Sequence, residues 1–143
     1  MPPANCAALT SVTLRGIAVP DGPFGQSIAI ARKVARMIRK TSFAVKFDQA
    51  ASFGKPPKYA FSLMALEDLP GANGLSATLL DALRHAGLKV DGSSFQPHVT
   101  LFYNPRLREP IDVPPLRWQV REFVLIESTD RQPYQILGSW PLG

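Results

Sequence analysis

The chain has 143 residues, with 16 Lys and Arg against 11 Asp and Glu, for a net charge of +5. A length in this range reads as one domain, spanning 1–143, that buries roughly 68–70% of the surface its unfolded chain exposes. A hydrophobic share of 45% supplies the core and excludes a disordered chain. The 14 prolines make up about a tenth of the residues, against a usual share of about 5%, and their scatter argues against a helical bundle.

Cys6 is the only cysteine, so an internal disulfide and a cysteine-based zinc centre are both excluded, and a reducing, cytoplasmic compartment is expected. No run reaches the roughly 18 apolar residues of a membrane span, because Arg15, the basic run from Arg32 and Glu67 interrupt each candidate. Met1 to Val19 has no basic residue ahead of its apolar part, which argues against a signal peptide. A positive balance favours anionic partners such as RNA or nucleotides, although the same charge is ordinary for proteins that bind neither.

In chain order, Ser11 to Val19 is a β-rich run closed by the turn residues Pro20-Asp21-Gly22-Pro23, which predicts a strand. Phe24 to Lys40 changes to a helical period, with Ile28, Ile30, Ala31, Val34, Ala35, Met37 and Ile38 on one side and Arg32, Lys33, Arg36, Arg39 and Lys40 on the other. Strands are expected at Phe43–Phe53 and Tyr59–Ala65, antiparallel across the Gly54–Lys58 break. Asn73 is placed to cap a helix that runs through Ala86 and stops at Gly87. Phe95–Tyr103, Leu116–Ile126 and Tyr134–Leu137 complete the order β, α, β, β, α, β, β, β, an α+β or split βαβ pattern of mainly antiparallel strands.

Ser11-Val-Thr-Leu14 and His98-Val-Thr-Leu101 agree at three of four positions, 87 residues apart, as if the chain had two related halves. On a strand, His98 and Thr100 share a face, which regular alternation extends to Phe102, with Val99 and Leu101 turned to the core. An imidazole with an ordinary pKa near 6.5 can give or take a proton at neutral pH, and a threonine hydroxyl can donate to a phosphoryl oxygen. A strand histidine that only serves a backbone carbonyl, beside a threonine chosen for β-propensity, would look the same.

Phe95-Gln-Pro-His-Val-Thr-Leu101 resembles the second signature motif of the 2H phosphoesterase superfamily, in particular the bacterial 2'-5' RNA ligase (RNA 2',3'-cyclic phosphodiesterase, LigT-like) family. Phe47–Phe53 and Trp118–Leu125 resemble the strands that flank that family's site, and the similarity runs from about Val12 to Leu142. The resemblance implies a two-lobed α+β fold, each lobe giving one His-x-Thr/Ser strand to a shared cleft. It also implies an activity without cofactor or metal, with one histidine as general base and the other as general acid. The partner implied is RNA or a small cyclic nucleotide.

The first motif departs from the family pattern, with Ser11 where its histidine belongs and Thr13 retained. Pro2-Pro3-Ala4-Asn5 resembles the family's turn into that motif, and the strand and helix expected before it are not found, so the first lobe is expected to be shortened. Such a lobe would leave an open sheet edge, giving a monomer that can dimerise along it. The expected site is His98, Thr100, Thr13 and Ser11, with Arg15 and Tyr103 contacting phosphate or base. The remaining histidine, His85, reads as a surface residue, and Phe53, Trp118 and Trp140 read as core. Loss of one catalytic histidine leaves two expectations open, an impaired phosphoesterase or a noncatalytic nucleotide-binding module.

Overall fold

The computed structural model describes residues 13–14, 23–88, 90–91, 96–127 and 135–143. The elements are β1 (Thr13–Leu14), α1 (Pro23–Met37), β2 (Phe43–Lys55), β3 (Lys58–Met64), α2 (Pro70–His85), β4 (Val90–Asp91), β5 (His98–Asn104), β6 (Ile111–Val120), β7 (Glu122–Glu127) and β8 (Gln135–Pro141). Among the described residues all strand pairings are antiparallel and two helices are present, so the architecture is α+β, as the element pattern predicts.

One four-stranded sheet has the order β5-β3-β2-β6, while β1-β4 and β7-β8 form two-stranded sheets. The β2–β3 hairpin anticipated at Gly54–Lys58 closes through Pro56-Pro57, joined by a cis peptide. The single strand expected at Leu116–Ile126 is instead two, since the ladder breaks at Arg121 and β7 leaves the β2 partnership to pair with β8. Pro114 and Pro115 lie inside β6, tolerated because β6 is a sheet edge where a missing N–H need not cost a ladder bond.

Helix α1 buries Ala31, Val34 and Ala35, the centre of its apolar stripe. It ends at Met37 rather than Lys40, where Ile38 N donates to Ala35 O at 3.2 Å, and Met37 is exposed instead of buried. Helix α2 begins at Pro70, not after an Asn73 cap, because a proline's fixed φ suits the first helical turn. Asn73 lies within that turn, its Nδ2 donating to Asp68 Oδ1 at 2.6 Å. Gly87 does stop α2. Its φ of +89° lets its N–H donate to Arg84 O and the Leu88 N–H to Leu83 O, a left-handed closure suited to glycine.

The two helices hold the sheets together. Leu69 and Ala72 pack on Val45 and Phe47 of β2 and Val99 of β5, with Trp118 at the margin. Gly71 permits this approach, since a Cβ there would collide with the Phe43 side chain. Ala35 and Leu75 meet Phe123 of β7 and Leu142, and Ala31, Val34 and Leu83 carry Val90 of β4 and Leu125 of β7 at their edge. None of the described helices is long and apolar enough to cross a membrane.

Candidate functional site

Strand β5 pairs with β3 so that His98 lies opposite Met64, Val99 opposite Leu63 and Thr100 opposite Ser62. Directly opposed residues of an antiparallel pair share a face, so His98 and Thr100 lie with Met64 and Ser62, while Val99, 3% exposed, enters the core beneath α2. This part of the expected alternation holds.

The alternation then breaks. The register slips between Phe61 and Ser62, leaving Leu101 as the extra residue of a bulge, with Phe102 opposite Phe61 and Tyr103 opposite Ala60. Leu101 is therefore 49% exposed rather than buried. Phe102 leaves the His98 face, stacks on Phe61 at 5.1 Å and lies under the Arg108 guanidinium. Tyr103 takes its place on the His98 and Thr100 face. A one-residue insertion reverses which side chains point each way, so the bulge brings the expected contact residue Tyr103 to this face and removes Phe102.

The Nδ1 of His98 lies 2.7 Å from the Gln96 carbonyl oxygen. A carbonyl only accepts, so Nδ1 carries the hydrogen and Nε2 holds the free lone pair of the neutral ring. The Phe53 ring meets the imidazole edge-on at 4.5 Å, which restricts the plane of the imidazole. Ser62 is fully buried and its hydroxyl donates to Thr100 Oγ1 at 3.4 Å. With an acceptor position of Thr100 occupied in this way, its own hydrogen is directed elsewhere and can donate to a ligand. These residues can move a proton at Nε2 and donate a hydrogen bond beside it.

Gln96, Phe53 and Ser62 did not emerge from sequence reasoning as members of this group. Phe53 reads as a core aromatic, and a backbone carbonyl has no sequence signal. Ser62 does leave a trace, as a lone hydroxyl in the otherwise apolar run Ala60-Phe-Ser-Leu-Met64.

Of the other expected site residues, Ser11 and Arg15 lie outside the described residues. Thr13 is in β1, its backbone paired with Asp91 of β4. His85 is exposed on α2, its Nδ1 bonded to Asp81 O. Trp118 stacks on Phe47 and Trp140 on Phe123, both packed against the core as expected. The basic side of α1 is exposed, α1 packs on α2 and β8, and Arg32 Nε donates to Leu137 O at 2.8 Å.

Residues 12–132 match the 2'-5' RNA ligase superfamily, and the chain belongs to that family. Solved structures share the fold. LigT from E. coli, crystallised with 3'-AMP, is 22% identical with a TM-score of 0.63, over 82% of this chain and 69% of that one. The same protein with NADP+ gives 24% identity and a TM-score of 0.59, over 82% and 68%. TT0787 of Thermus thermophilus gives 22% and 0.60, over 87% and 72%. No curated protein sequence matches the chain.

Proposed function

We propose that the chain is an RNA 2',3'-cyclic phosphodiesterase or 2'-5' RNA ligase-like phosphoesterase that acts on RNA ends or cyclic nucleotides. His98 is its acid/base and Thr100 its phosphate anchor. The observation that carries this reading is the Nδ1 hydrogen bond of His98 to Gln96 O, which leaves Nε2 for chemistry on the face shared with Thr100.

Opening a cyclic phosphate requires a proton to leave the attacking oxygen and another to reach the departing ribose oxygen. Neutral His98 can take the first at Nε2, and the imidazolium can supply the second from the same atom. The Thr100 hydroxyl donates to a nonbridging oxygen, where negative charge builds. In this reading Thr13 is a second phosphate anchor, Ser11 adds a hydroxyl, and Arg15 and Tyr103 contact phosphate or base. None of these steps calls on a metal ion. The 3'-AMP, ATP and NADP+ complexes of E. coli LigT support a nucleotide as the ligand.

The test is hydrolysis of a 2',3'-cyclic nucleotide and of RNA with a cyclic end, in the presence of a chelator. The expected result is slow turnover by the wild type that vanishes in His98→Ala. Turnover unaffected by His98→Ala would place the chemistry elsewhere.

One observation favours a second reading. Ser11 stands at the position of the family's first histidine, and a hydroxyl without a neighbouring base cannot replace an imidazole. On this reading the chain binds nucleotides without turnover, and nucleotide affinity with no detectable product would identify it.

A further inference from the structure

The closed end of the β2–β3 hairpin carries a feature that the reacting group leaves unused. Lys55 and Lys58 are paired directly across the ladder, both exposed. Like charges directly opposed on a sheet destabilise it. Among the described residues neither ammonium has a carboxylate in ion-pairing range, the lysine pairs found there being those of Lys46. The pair therefore carries a local electrostatic cost that no carboxylate among the described residues offsets, its one compensation there being the Tyr103 ring beside the Lys58 ammonium.

Both lysines belong to the face of the candidate site. Lys58 alternates with Ala60 and Ser62 along β3, and its Nζ lies 4.3 Å from the centroid of the Tyr103 ring. Lys55 alternates with Phe53, the ring that touches His98. From Ser62, opposite Thr100, to Lys58 is four residues, about 13 Å of strand at the usual rise. That separation is too long for the lysines to hold the phosphate that reacts at His98, but it suits a phosphate further along the same strand of nucleic acid. Tyr103 lies between the two places, 55% exposed.

We propose that Lys55 and Lys58 form a second phosphate subsite, which takes a backbone phosphodiester of a single-stranded oligoribonucleotide whose cyclic end lies at His98 and Thr100. The inference rests on the functional reading above and narrows its substrate class to RNA ends in preference to cyclic mononucleotides. The lone lysine pair becomes favourable once an anionic strand neutralises it.

The test compares the intact wild-type chain with the Lys55→Gln/Lys58→Gln variant. One probe is a labelled tetraribonucleotide with a 2',3'-cyclic end, and the other is a 2',3'-cyclic mononucleotide. Each phosphate neutralised on a single strand contributes about −0.7 to the slope of log affinity against log salt. The variant should therefore show a slope shallower by about 0.7, the share of the one phosphodiester it no longer neutralises, and at low salt an affinity for the tetranucleotide reduced several-fold, up to about tenfold. Turnover or binding of the mononucleotide should be unchanged, and the thermal midpoint should stay the same or rise.

A Lys33→Gln/Arg36→Gln variant removes the same charge from α1 and should leave the slope near that of the wild type. Equal losses in the two variants would reduce the effect to overall charge and overturn the subsite, as would a hairpin variant that binds RNA like the wild type. A wild type that ignores the mononucleotide but binds the tetranucleotide through these lysines would overturn the catalytic reading and keep the subsite. A wild type that binds neither would overturn both.

Discussion

Two segments of this chain read x-Val-Thr-Leu, and they are supported very differently. His98–Leu101 opens a seven-residue strand on a four-stranded sheet, with the Gln96 carbonyl behind the imidazole, Phe53 against its edge and Ser62 beneath the threonine. Among the described residues, the segment at Thr13–Leu14 pairs only with Val90–Asp91, and the chain has Ser11 where an imidazole would complete the match. The difference teaches that the motif letters specify a face and little else. The ring plane at His98 and the hydroxyl direction at Thr100 come from the neighbouring strands, through Phe53 and Ser62, and the tautomer comes from a backbone carbonyl two residues upstream.

The comparison can be broken most forcefully at the imidazole. His98→Ala should lower turnover of a 2',3'-cyclic nucleotide by about 10²–10⁴, the usual worth of a positioned proton-transfer group, while the unfolding midpoint barely moves because the ring is only half-buried. If the activity survives, the two segments do not differ in function as proposed.

The packing beneath β5 comes next in size. Phe47 is fully buried and in one cluster with Val99, so Phe47→Ala should cost about 3–5 kcal/mol of stability by denaturant titration. A loss under about 1 kcal/mol, far below the usual cost of such a truncation, would mean that the sheet bearing His98 is not anchored through this ring.

Ser62→Ala addresses the hydroxyl below Thr100. A hydrogen bond contributes about 0.5–1.5 kcal/mol, so kcat/KM should fall by about two- to tenfold, and the loss should disappear when Thr100 is already alanine. A loss of the same size in the Thr100→Ala background would show that Ser62 acts through packing alone.

The smallest effect is expected on the surface. Asn73→Ala removes an exposed hydrogen bond to Asp68 and should change stability by about 1 kcal/mol or less with no change in nucleotide affinity. Measured beside Phe47→Ala, it sets a baseline for changes remote from β5.

Much of the fold was legible because it depends on short-range pattern. The apolar stripe of α1, the stop at Gly87 and the Gly54–Lys58 hairpin are each written within a few residues. What was not legible depends on partners distant in sequence. The division of Leu116–Ile126 into β6 and β7 follows from which strand each half meets, and the local run is β-forming throughout. The bulge at Leu101 arises from register against β3, so alternation along β5 alone assigns Phe102 to the wrong face and leaves Leu101 in the core. At the site, His98, Thr100 and Tyr103 carried a sequence signal through residue type and motif. Gln96 and Phe53 carried none, since one acts by its carbonyl and the other by a ring contact across an intervening strand.

The central claim is that His98 is one half of a catalytic pair whose other position is filled by Ser11. The most direct measurement is the rate of 2',3'-cyclic nucleotide opening in Ser11→His, with and without His98→Ala. The account predicts a gain of about 10²–10⁴ over the wild type, and its complete loss when His98 is also replaced. No gain in a folded Ser11→His protein, or a gain that persists without His98, would contradict it.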